Sequence, residues 1–143
     1  MRYKALDVAR YIIEYCKDEG YIVSNLKLQK ILYFVQAEFL VKKDEVCFDE
    51  KIEAWDFGPV VPKVYQEYKV FGSTNIITRN KKHIFIESKD RNMINSIVDV
   101  CAKHSATELV DITHNQTPWI ESYDRFRNNE ITTDSIKNFF RES

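Results

Sequence analysis

Three glycines, three prolines and three cysteines in 143 residues leave little material for tight turns, and each scarcity narrows the fold. Few turn formers argue against an all-β architecture, which needs a reversal every 8 to 12 residues or so. The same shortage, with 44% hydrophobic residues, excludes a disordered or low-complexity chain. Cys16, Cys47 and Cys101 are odd in number and far apart, so they form no disulfide framework; they read as small buried apolar groups in a reducing cytoplasm. No apolar run approaches the ~20 residues of a membrane span, and no signal peptide precedes the first amphipathic pattern. Charge is also without bias. There are 11 basic and 12 acidic residues up to Phe71, then 10 of each. A nucleic-acid partner is disfavoured, because a basic face would have to arise from placement alone. The densest basic cluster, Arg79, Lys81, Lys82 and His83, reads as the solvated tip of a hairpin.

What is present is helical periodicity. Ala5, Val8, Ala9, Ile12, Ile13 and Cys16 mark an amphipathic helix over 4–19, stopped by Gly20. Ser24 caps a second helix to about Lys42, with Leu28, Leu32, Val35 and Phe39 as core. Its apolar residues extend beyond one face, which predicts the most buried helix of the molecule. An extended segment over 51–55 ends at Trp55, and Gly58-Pro59 marks a turn. Pro62 opens a short helix that ends at Gly72. Residues 75–79 and 83–87 alternate in the manner of a β-hairpin around Ile76, Ile84 and Ile86. Asp90 is placed to cap a helix through His104, with Ile94, Ile97, Val98 and Cys101 inward. Ser105-Ala-Thr-Glu108 has the pattern of a capping box. Thr117-Pro118 starts another helix, and Asp134 to Arg141 the last, burying Ile136, Phe139 and Phe140. The length and the absence of a linker predict one domain over 1–143, mainly α (α+β): a compact helical array around one core with a short β-hairpin or extended element.

No constellation names a reaction. Cys101, His104 and His114 are too few and too irregularly spaced for a zinc site, so no metal and no cofactor are expected. Asp111 and His114 lie at helical spacing; they, or a cysteine, are the residues a small hydrolase would have to use. Capping and packing are the favoured reading of both. No GxSxG, GxGxxG or phosphate loop occurs. The unusual segment is Ala54 to Tyr68, where Gly58, Pro59 and Pro62 restrict the backbone between Trp55 and Tyr65. It reads either as a rigid packing corner or as a preordered binding rim, since rigid aromatics lose little entropy on association.

Two segments carry a family resemblance. Leu26-Lys-Leu-Gln-Lys-Ile-Leu-Tyr-Phe-Val-Gln-Ala37 and Ile52-Glu-Ala-Trp-Asp-Phe-Gly-Pro-Val-Val-Pro-Lys-Val-Tyr65 resemble the linked motifs of the Panacea domain, the phage-associated SocA- and GepA-like proteins of bacteria. Thr113-His114 followed by Pro118-Trp119 resembles that family's closing motif. The resemblance implies an antitoxin that neutralises a cognate protein toxin, encoded in an adjacent gene, by direct binding. For a SocA-type member it also implies a proteolytic adaptor, and it makes a non-enzymatic role the expectation. It marks Gln29, Lys30, Tyr33, Gln36, Trp55, Gly58, Pro59, Val60, Val61, Tyr65, His114 and Trp119 as scaffold and part of the partner surface.

Overall fold

The computed structural model describes residues 2–79 and 83–142. Among these the chain forms seven α-helices and a small three-stranded antiparallel sheet, so it is mainly α with a minor β element. The first helix, α1 (Ala5–Glu19), buries the stripe its periodicity implies. It ends where Gly20 takes a left-handed conformation (φ 77°) and the N–H of Tyr21 returns to the carbonyl of Cys16 at 2.8 Å. Ser24 then caps α2 (Asn25–Lys43) by accepting from the N–H of Lys27.

This second helix is buried on nearly every side. Leu28, Ile31, Leu32, Val35 and Phe39 are core, and Gln29, Lys30, Tyr33 and Gln36 are equally inaccessible. It packs against α1, α3 (Pro62–Tyr68), α4 (Ser88–Cys101), α5 (Ala106–His114) and α7 (Thr133–Arg141). The breadth of its apolar surface therefore has a direct cause: it is the axis on which the other helices are laid. α6 (Thr117–Ser122) lies beside α7 and α5, and a 3₁₀ turn, Lys69–Phe71, extends α3.

The sheet runs in the order β2 (Gly58–Val60), β1 (Ile52–Trp55), β3 (Glu130–Ile131). Glu53 lies opposite Val60 on one side and Glu130 on the other, and Trp55 lies opposite Gly58. The reversal falls at Asp56–Phe57. Gly58-Pro59, expected as the turn, instead begins the returning strand. Gly58 sits at φ 107°, which side chains rarely adopt, and a Cβ there would lie 2.7 Å from Lys30 Cε and 2.9 Å from Thr113 Oγ1. Its missing side chain lets the hairpin lie directly on α2 and α5.

Two further expectations are corrected. Residues 75–79 and 83–87 form no strand. Ile76 and Ile86 are buried as their alternation implies, but Ile76 N–H bonds the carbonyl of Val23 and Asn75 Oδ1 accepts from Val23 N–H. The α1–α2 connection thus takes the bonds a hairpin partner would have taken. Lys81 and Lys82 of the basic cluster lie outside the described residues. Asp90 caps nothing: the helix begins at Ser88 and ends at Cys101, not His104. The Asp90 carboxylate is fully buried and accepts from Tyr3 OH at 2.6 Å and Lys43 Nζ at 2.8 Å. Burial raises its pKa, but these two donors outweigh burial and leave it below the usual carboxylate value. The capping box at Ser105 and Glu108 forms as read, with both reciprocal bonds present. The last helix is capped by Thr132 and buries Ile136 fully, Phe139 and Phe140 partly.

Candidate partner-binding site

The polar residues of the first motif act inward. Gln29 Oε1 accepts from Val61 N–H at 2.9 Å, and its Nε2 donates to Asn25 Oδ1. Asn25 Nδ2 continues the chain to the carbonyl of Tyr65. Lys30 Nζ donates to the Pro59 carbonyl at 3.2 Å. Tyr33 OH donates to Gln116 Oε1 at 2.7 Å, and its ring meets Phe34 and Phe140 edge to face. Gln36 takes three backbone groups at once: Nε2 donates to the Phe48 carbonyl, while Oε1 accepts from the N–H groups of Cys47 and Phe48. From one helix, Gln29, Lys30 and Gln36 satisfy backbone groups at 47–48 and 59–61, and Tyr33 pairs with the Gln116 side chain. None of the four presents a surface to a partner.

Lys30 is the unusual member. Among the described residues no carboxylate accompanies its ammonium, and burial brings its pKa down to about 7. Gly58 makes room for its aliphatic stem, and Pro59 supplies the acceptor.

The second and third motifs build a rim above this interior. Trp55 and Tyr65 rings meet at 5.0 Å between centroids, and Trp55 Nε1 donates to Glu53 Oε1. From the helical side, His114, Trp119 and Tyr123 form a continuous stack, with centroids 4.1 and 4.5 Å apart. Each ring donates one hydrogen bond to the turn. Trp119 Nε1 reaches the Trp55 carbonyl at 2.8 Å, His114 Nε2 the Asp56 carbonyl at 2.9 Å, and Tyr123 OH the Asp56 carboxylate. Because a carbonyl can only accept, the bond to Asp56 places the histidine proton on Nε2. Two segments more than fifty residues apart thereby fix one two-residue turn.

Trp55, Tyr65, His114 and Trp119 are each half-buried, whereas Gly58, Pro59, Val60 and Val61 are buried beneath the turn. Phe57, at the tip, is 65% exposed. Phe57, Asp56 and Tyr123 were not singled out in the sequence. Tyr123 lies four residues after Trp119, a spacing that stacks rings on one helical face, but only the tertiary contact shows that the stack serves the turn. Beside Phe57 opens a groove of about 490 Å³, floored by Leu26, Trp55, Val60 and Tyr65 and flanked by Lys69 and Arg125.

The groups a hydrolase would use are dispersed. Among the described residues no hydrogen bond joins Asp111 to His114: Asp111 is exposed and uses its backbone carbonyl on Asn115. All three thiols are buried. Burial pushes Cys16 up to about 11 and Cys101 up to about 12, and Cys47 higher still, which keeps them protonated and poor nucleophiles. His104 lies 3.9 Å from Glu108, Cys101 is buried, and His114 is committed to the turn. Among the described residues no three His, Cys, Asp or Glu side chains gather where they could hold a metal ion. No helix there is long and apolar enough to cross a membrane.

A mainly helical scaffold whose motif residues brace an aromatic turn defines the class. Residues 28–120 match the family described as "Antitoxin SocA-like, Panacea domain", and the chain belongs to that family. Over 109 residues it is 36% identical to Antitoxin SocA of Caulobacter vibrioides (strain NA1000 / CB15N), covering 68% of this chain and 58% of the relative. The chain thus spans less than two thirds of that curated relative's length. No solved structure matches it at a significant level.

Proposed function

We propose that this protein is an antitoxin that neutralises a cognate protein toxin by direct, stoichiometric complex formation, with the Trp55–Phe57 turn and its His114–Trp119 support forming part of the partner-facing rim. Family membership carries the reading. The dispersed state of Asp111, His114 and the thiols is in keeping with it, since no side chain there is activated as a nucleophile by a neighbouring base. The half-exposed aromatics at Trp55, Tyr65, His114 and Trp119 have the character of interface anchors: large, rigid and already ordered. An adaptor role, in which the complex is handed to a protease, extends the same reading; a shortened toxin half-life in its presence is the sign of it.

The deciding experiment co-expresses the chain with the toxin encoded beside it, over a titration of antitoxin, and recovers the complex. Binding predicts rescue that tracks the molar ratio, because one antitoxin is consumed per toxin. An enzyme would rescue at trace dose. Rescue with no complex, or rescue abolished by Asp111→Asn in a protein that still folds and still forms the complex, sinks the proposal in favour of a hydrolase.

A further inference from the structure

We infer that the groove beside Phe57 is the primary docking site for the toxin, and that it receives an acidic segment of that protein bearing a large apolar side chain. The inference rests on the antitoxin reading and adds the place and the chemistry of contact. Three observations carry it.

The groove is apolar where it is deep, and about 490 Å³ holds one large side chain with its neighbouring backbone. The buried polar side chains in its lining are already paired: Asn25 and Gln29 are hydrogen-bonded to each other, to Tyr65 and to Val61. An apolar group can therefore enter without stranding a buried donor or acceptor. Phe57 stands at the edge, 65% exposed, on a turn that three side-chain hydrogen bonds hold in place. A large exposed aromatic on a braced turn is an anchor that needs no ordering on association.

The charge at the groove is net positive. Lys69 and Arg125 flank it, are exposed, and form no ion pair among the described residues; the Arg125 guanidinium lies only over the ring of Phe126. The one carboxylate at the groove, Asp56, is engaged by Tyr123 OH. Two free cations against one occupied anion select an acidic occupant, and exposed rim charges of this kind act mainly on encounter rate and specificity.

The test uses the toxin encoded beside this chain, purified out of the co-expressed complex, and measures its affinity for three variants. Phe57→Ala should weaken binding by about tenfold or more through faster dissociation. Lys69→Glu with Arg125→Glu should weaken it comparably through slower association, and should remove the loss of affinity that added salt causes in the wild type. Lys103→Glu, an exposed cation outside the groove, should bind as wild type. All substituted positions are exposed, so thermal melts should coincide. Wild-type affinity in both groove variants overturns the inference and leaves the antitoxin reading standing. A wild-type chain that binds no toxin overturns the antitoxin reading itself. Groove variants that abolish self-association while keeping toxin affinity would assign the groove to a second copy of this chain and overturn the inference by that route.

Discussion

A buried lysine whose ammonium meets a backbone carbonyl is an energetic oddity, and Lys30 makes the residue scale the informative one. Its pKa falls from 10.5 to about 7 on folding. Between those values the unfolded chain holds a proton that the folded chain has released. The unfolded state binds more protons there, so stability rises with pH across the window; below about 7 both forms are charged and the full burial penalty applies. Chemical denaturation from pH 7 to about 7.8, before the thiols of the unfolded chain ionise appreciably, should show stability climbing by at most about 1.4 kcal/mol per pH unit. Lys30→Met should flatten that slope; an unchanged slope means the ammonium reaches water. Its neighbour Gly58 gives a second residue-scale prediction. Gly58→Ala combines a disfavoured positive φ with contacts at 2.7 Å on Lys30 and 2.9 Å on Thr113. The expected cost is about 2–4 kcal/mol from backbone strain and overpacking, read as a lower denaturation midpoint. Thr113 has little freedom to move aside, because its hydroxyl bonds the carbonyls of Leu109 and Val110.

At the scale of elements, the β1–β2 turn is held from outside itself. A two-residue reversal between strands of four and three residues is marginal alone. The stack of His114, Trp119 and Tyr123 supplies what the ladder cannot. Tyr123→Phe keeps the stacked ring and removes only the donor to Asp56, which then keeps its charge in water. Little change in global stability is expected, since the pair lies at the surface and water can replace the lost donor. The local effect should be larger: amide exchange at Asp56 and Phe57 should quicken while α2 keeps its protection. Equal protection of the turn in both proteins would show that Trp119 and His114 suffice.

For the whole molecule, α2 serves as both core and connector. Leu28, Leu32, Val35 and Phe39 bury apolar surface, and the polar residues between them bind the chain at 47–48, 59–61 and 116. Gln36→Leu keeps approximate volume and strands the carbonyl of Phe48 and the N–H groups of Cys47 and Phe48 inside the protein. A loss of about 2–4 kcal/mol is expected, with the melt still cooperative. A neutral result would mean that water takes over all three groups.

The helices were legible because they depend on neighbours three and four residues away. The α1 stripe, the Ser24 cap, the Ser105–Glu108 box and the excess of apolar residues around α2 are all local patterns, and the structure follows them. Where the sequence reading failed, a long-range partner decided. The alternation of Ile76, Ile84 and Ile86 specifies which side chains turn inward, but not what the backbone bonds to, and Val23 takes that place. Asp90 stands where a helix cap could stand, yet Tyr3 and Lys43 claim its carboxylate from 87 and 47 residues away. The motifs at Gln29 to Gln36 and Trp55 to Tyr65 could be recognised from sequence as belonging together. That the first lies inside and braces the second, leaving Phe57 and the groove to face outward, depends on contacts between segments dozens of residues apart. Such contacts exist only once loop closure has been offset by burial of the shared core, and no local pattern encodes them.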